Sequence, residues 1–271
     1  MKPILKIACG AIFSIIISCN TTPDSKVKPG FSVNSKESLK NAIKEYPDSL
    51  LLIQDLIEAY RDEGSYDSAL ALTDNQIKKD SNNAYLWNMK ATLHFENDDT
   101  IDAINSLEHA VDIYPMPEYL VALGTIYAEV KNPKSLIIAD GLLKANRVKS
   151  GADAMFVKGL YYSYNNDKIK AINYFDSSLH MDFTYMFSYR EKAIALYDLG
   201  KYQEALDVLK RAVTVQNNFD EGYYWMGRCL EKLNRKDDAI QSYQTALLYD
   251  KDFIEAREAL NKLQGKTDNN N

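Results

Sequence analysis

Hydrophobic and polar positions along this chain repeat on two scales. Within short stretches apolar residues return every three or four positions, as on one face of a helix. Across stretches the whole pattern returns after 34 residues. The clearest copies are 186–219 and 220–253, which abut without a gap. Laid over one another, they place Ala193 on Gly227, Leu196 on Leu230, Ala205 on Ala239, Leu209 on Tyr243 and Ala212 on Ala246. A fixed period of this length, with small residues at fixed offsets, predicts helix–turn–helix units stacked into a solenoid.

Followed outward, the register predicts full units at 50–83, 84–117, 118–151 and 152–185 ahead of the clear pair. The second unit carries Trp87, Ala91, Ala103, Leu107, Ala110 and Pro115 at the recurring positions. The third is irregular: its turn Lys131-Asn132-Pro133 is one residue short, and Gly141 is expected to interrupt its second helix, at up to about 1 kcal/mol relative to Ala. Residues 36–46, with Leu39, Ala42 and Ile43 on one face and Pro47 beyond, predict the second helix of a unit whose first is missing. Residues 254–264 predict one closing helix, and 265–271 a disordered polar tail.

On these residues the chain resembles the tetratricopeptide repeat (TPR) family over 36–264. The resemblance implies an all-α fold: a right-handed superhelical solenoid of about six repeats, with an N-terminal half-repeat helix and a C-terminal capping helix. Short helices of this kind are not stable alone, so neighbouring pairs must stack to bury their apolar stripes. Small residues at Ala91, Gly124, Gly159, Ala193 and Gly227 are expected to let paired helices approach closely. Asp67, Asp98, Asp99, Asp167 and Asp237 lie where a side chain could cap each second helix.

The first 18 residues do not share the period. Lys2 and Lys6 precede an apolar stretch of eleven residues, Ile7 to Ile17, too short to span a bilayer and suited to a secretory leader. Ile16-Ile17-Ser18-Cys19 resembles a bacterial lipobox, which implies cleavage before Cys19, diacylation of its sulfur and a diacylglyceryl anchor in the membrane. An ordinary leader that happens to hold a cysteine is the alternative. The polar, Pro- and Gly-containing stretch 19–35 then predicts a lipidated cysteine and a flexible tether reaching on the order of 20 Å. Asp24 alone is acidic close behind Cys19, so a location in the cell envelope, at the outer membrane facing the periplasm, is expected.

Composition narrows the partners. The formal charge is −6, and loss of Lys2 and Lys6 would leave 38 acidic residues against 30 basic ones. Such a chain lacks the basic footprint that nucleic acid requires. The three cysteines form no CxxC, and Cys229 sits among apolar positions as a small core residue, so neither metal nor cofactor is expected. His94, His109 and His180 fall in separate places, and no GxSxG, HExxH or phosphate-cradling glycine loop occurs. The expectation is a non-catalytic protein.

What remains is a binding surface. In the TPR family the first helices line the inner, concave face, and mapping those positions onto this chain gives two linings. Repeats one and two present Gln54, Glu58, Arg61, Asp62, Tyr85, Asn88, Thr92, Phe95 and Glu96, which is polar and acidic. Repeats four to six present Phe156, Leu160, Tyr164, Phe187, Arg190, Ile194, Tyr197, Tyr224, Arg228 and Lys232. Aromatics interleaved with arginine form the composition of protein-binding hot spots, so this second set is the expected groove for a partner segment. The Lys and Asn of the family's carboxylate clamp are absent, since Gln54 and Glu58 occupy those positions. The functional expectation is an interaction scaffold of the envelope, for assembly of an outer-membrane complex. A self-associating module, a glycan-related lipoprotein and an enzyme are the alternatives. The partner, the membrane face and the oligomeric state do not follow from the residues.

Overall fold

The computed structural model describes residues 35–265. The expected leader, Cys19, the tether before residue 35 and the tail beyond Gly265 lie outside the described residues. Thirteen helices follow one another, and no strand occurs among the described residues. They are α1 (Lys36–Glu45), α2 (Leu50–Asp62), α3 (Tyr66–Lys79), α4 (Ala84–Glu96), α5 (Thr100–Ile113), α6 (Pro117–Glu129), α7 (Lys134–Tyr164), α8 (Lys168–Met181), α9 (Met186–Asp198), α10 (Tyr202–Val215), α11 (Asp220–Lys232), α12 (Lys236–Tyr249) and α13 (Ile254–Gln264). Contacts divide the described residues into two compact units, with the division between Leu123 and Gly124 inside α6. In the first unit α1 to α5 each pack on their chain neighbours. In the second, α7 to α13 do the same, and first helices also touch the next first helix, α7 with α9 and α9 with α11.

The turn inside each helix pair is built the same way every time. One residue adopts a left-handed backbone: Gly64, Asp98, Asn166, Gly200 and Asn234 at equivalent places, and Lys131 one residue earlier in the shortened third turn, all with φ between 59° and 75°. The next amide then reaches back across the helix end, as from Ser65 to Tyr60 O, Asp167 to Tyr162 O and Arg235 to Leu230 O. That bond satisfies a carbonyl the helix leaves open. Asp98 therefore supplies the left-handed residue of its turn. Asp99 sits at the N-cap of α5 without a side-chain cap bond, and Asp67 and Asp237 lie within the first turns of α3 and α12. Asp167 caps α8 as expected, accepting from the Lys170 amide at 3.1 Å.

Helix pairs fit by trading volume across the contact. A methyl built on Gly159 would stand 2.4 Å from the Phe175 ring, and one on Gly227 would stand 2.5 Å from the Tyr243 ring. The equivalent positions hold Ala91 with Leu107 and Ala193 with Leu209, all fully buried. The first repeat reverses the trade, with buried Ile57 on the first helix and Thr73 on the second. Thr73 returns its hydroxyl to Ala69 O at 2.9 Å, so no polar group is stranded.

The irregular third repeat does not break where glycine stands. Gly141 lies within α7, exposed and with nothing near its missing methyl, so the helix carries it at the ordinary cost. The break is at Asn146, whose backbone leaves the helical region (φ −159°, ψ 92°). Its side-chain Oδ1 accepts from the Lys149 amide at 3.1 Å, restarting the helix as an N-cap. The fourth repeat's first helix thus starts ahead of residue 152, and the expected boundary at 151/152 falls inside a helix.

Candidate partner-binding face

In the second unit the predicted face is carried by the last part of α7, by α9 and by α11. Phe187, Arg190, Ile194 and Tyr197 recur at helical spacing on one side of α9, and Arg228 and Lys232 are one turn apart on α11. Their depths differ. Phe156, Leu160, Arg190 and Tyr224 are buried and present no surface to a partner, which corrects the expectation that they line an open groove. Tyr164, Phe187, Ile194, Tyr197 and Arg228 are half-buried, and Lys232 is exposed.

The buried four have internal work. Phe156 packs among Phe175, Tyr185 and Phe187, with ring centroids 6.1, 5.3 and 6.2 Å away. Tyr224 packs against Phe253 at 5.0 Å and Tyr243 at 5.9 Å. Arg190 is 1% exposed and is the largest fully buried side chain described. Its Nη1 donates to both oxygens of Glu221 at 2.7 and 2.6 Å, and its Nε donates to Glu191 at 3.0 Å. Nη2 has no partner. Burial raises the Glu191 carboxyl above its ordinary value, and the Arg190 charge opposes that rise. Beside this cluster Tyr185 donates to Asp153 at 2.8 Å, and burial pushes its phenol well up. An ion pair this deep joins successive first helices and is a structural element.

The accessible part centres on Arg228. Its guanidinium lies 5.9 Å from the Tyr197 ring and 5.8 Å from those of Tyr224 and Trp225, and Nη1 donates to Tyr224 Oη at 2.8 Å. Next to it, Cys229 is fully buried, and burial pushes its thiol up to about 12, as expected of an inert core residue.

The first unit's corresponding face is polar. Arg61 forms a two-pronged pair with Glu96, at 2.7 and 2.6 Å, and Glu58 is exposed. Glu58, Arg61, Tyr85, Asn88 and Thr92 surround a cavity of about 60 Å³. Phe95, expected on this lining, is buried.

Residues 196–263 match the tetratricopeptide repeat family model. A tetratricopeptide repeat protein from Parabacteroides merdae superimposes with a TM-score of 0.67 at 20% identity, over 85% of this chain and 91% of its own. The fold is that of tetratricopeptide repeats. A TPR protein of Thermus thermophilus aligns with a TM-score of 0.57 at 15% identity, over 67% of this chain and 98% of its own. Among curated proteins, DnaJ homolog subfamily C member 7 of mouse and of human are each 27% identical over 117 residues, 43% of this chain. The match spans 24% of those relatives' length.

Sequence reasoning placed Arg190 among TPR groove residues and missed its partner. The signal was present: Glu221 holds the second position of the next repeat, opposite in charge and on the same family of first-helix positions. Trp225, which completes the ring set about Arg228, was also missed. It lies between Tyr224 and Met226 in the sequence, and only the packing of α11 on α9 shows which way it contributes.

Proposed function

We propose that this chain is a lipid-anchored, non-catalytic scaffold of the bacterial envelope, holding a segment of a partner protein on the first-helix face of its second unit. One observation carries the reading. Phe187, Ile194, Tyr197 and Arg228 remain only half-buried after the fold has closed around them, which leaves aromatic and cationic surface of hot-spot composition. The TPR fold supports an interaction role in general. The lipobox-like Ile16-Ile17-Ser18-Cys19 supports the anchor.

The test compares the full chain with a Phe187→Ala/Tyr197→Ala variant, both expressed in a bacterial envelope and cross-linked before capture. The wild type retains a defined partner at fixed stoichiometry, and the folded variant loses it. Equal recovery by both sinks the reading. The anchor is tested separately: Cys19→Ala abolishes labelling by a fatty-acid probe and releases the chain from membranes, and continued membrane fractionation contradicts lipidation there.

A second reading rests on exposed apolar residues at the C-terminal end, Leu248, Tyr249 and Ile254. They favour pairing between copies. Light scattering over a concentration series separates the two readings, since a strict monomer that holds its partner excludes the second.

A further inference from the structure

Among the described residues no carboxylate forms an ion pair with Arg228; Glu231 and Glu255 come no nearer than the surroundings of the Tyr224 hydroxyl. Arg61 grips Glu96, and Arg190 grips Glu191 and Glu221. Arg228 has one hydrogen bond, to the neutral hydroxyl of Tyr224, and three ring faces. Those rings half-remove the guanidinium from water and return only part of what hydration gave. Most of its donors stay unused. Lys232 follows one helical turn along α11, exposed and without an ion pair among the described residues. Two unpaired cations on one face stand out in a chain of net charge −6.

Their spacing carries further information. Residues four apart on a helix are separated by about 6 Å along its axis. In an extended segment, alternate side chains point the same way and lie about 6.6 Å apart. The geometry points to a receptor for paired acidic side chains: Arg228 and Lys232 receive two carboxylates separated by one residue in an extended partner segment, with Tyr197 packing beside the first. This rests on the reading of the face as a partner-binding surface and names the chemistry it selects. Arg228 supplies a planar fork for one carboxylate, and Lys232 a point charge for the other. The acidic chain around them repels an acidic segment elsewhere, so the doublet also sets register. The side chains of an internal segment are meant here. The doublet does not require a free chain terminus, whose main-chain carboxylate is a further source of the same charge.

The experiment is a selection from random peptides displayed with their C-termini fused, so that no free terminal carboxylate is present. The immobilised full chain is compared with Arg228→Gln/Lys232→Gln, Arg228→Lys and Tyr197→Ala, each checked for folding by circular dichroism. The wild type enriches sequences with acidic residues at alternate positions. One such peptide, made blocked at both ends, binds the wild type about tenfold more tightly than the double glutamine variant, loses affinity as salt rises, and gives an intermediate value with Arg228→Lys. Equal acidic enrichment by the double variant overturns the proposal. So does enrichment of peptides without acids that Tyr197→Ala abolishes, though the partner-binding face itself then stands. No enrichment on the wild type removes the face and this proposal together.

Discussion

In the first unit Arg61 reaches from one first helix to Glu96 on the next; in the second, Arg190 reaches Glu221 the same way from the other end of the helix. The Arg61 and Glu96 side chains are 30% and 16% exposed, whereas those of Arg190 and Glu221 are 1% and 11% exposed. The linkage is one, the depth is not. A half-buried pair that water still reaches contributes on the order of 1 kcal/mol, because solvent competes for both ions. A sealed pair owes its importance to desolvation already suffered, and removing one member strands the other.

The largest expected effect breaks that comparison most directly. Arg190→Met destabilises the second unit by about 3–5 kcal/mol in urea unfolding followed by circular dichroism, since it leaves Glu191 and Glu221 buried without their cation. Adding Glu191→Gln and Glu221→Gln recovers most of the loss. Arg61→Met costs about 1 kcal/mol or less, and a loss equal to that of Arg190→Met would show that depth is irrelevant. Next in size, Gly227→Ala costs about 1–3 kcal/mol by forcing a methyl into the Tyr243 ring, and Tyr243→Leu on the same chain restores stability. Failure of that rescue would mean the two positions do not trade volume.

Smaller still, Lys131→Gly gains about 1 kcal/mol, because lysine sits at φ 59° in a turn where Gly64 and Gly200 meet the same need without a β-carbon. Asp98→Gly at the equivalent place gains less, as short polar side chains tolerate this backbone better. The subtlest effect is in pH. The folded Glu191 carboxyl titrates above its ordinary value of 4.5 because it is buried. Between the two values the folded state holds a proton that the unfolded state has released, so stability falls as pH rises through that window. Glu191→Gln flattens that slope in stability measured by urea midpoint, and an unchanged slope assigns it to other groups.

The period alone made the architecture legible, because stacked pairs need small residues at fixed offsets and these recur in the second, fourth, fifth and sixth repeats as Ala91, Gly159, Ala193 and Gly227. What the period could not show was depth. Phe156, Arg190 and Lys232 all hold positions of the first-helix face, yet they range from buried to exposed, since exposure depends on what Tyr185, Glu221 and the next helix place over them. The break at Asn146 was hidden for a related reason. Gly141 is the stronger local breaker, but a helix face turned to water tolerates it, while Asn146 stops the helix by capping the next turn.

The matched volumes on paired helices also constrain how such a chain can be recombined. Glycine opposes a large ring in the fourth and sixth repeats, and alanine opposes leucine at the equivalent places of the second and fifth. A crossover in the loop between repeats moves each matched couple as a cassette. One placed in the turn inside a repeat joins glycine to leucine, leaving a void, or alanine to a ring, forcing a clash. Duplication and exchange of this array are therefore tolerated at the inter-repeat loops and penalised at the intra-repeat turns, so the cassette runs from first helix to second.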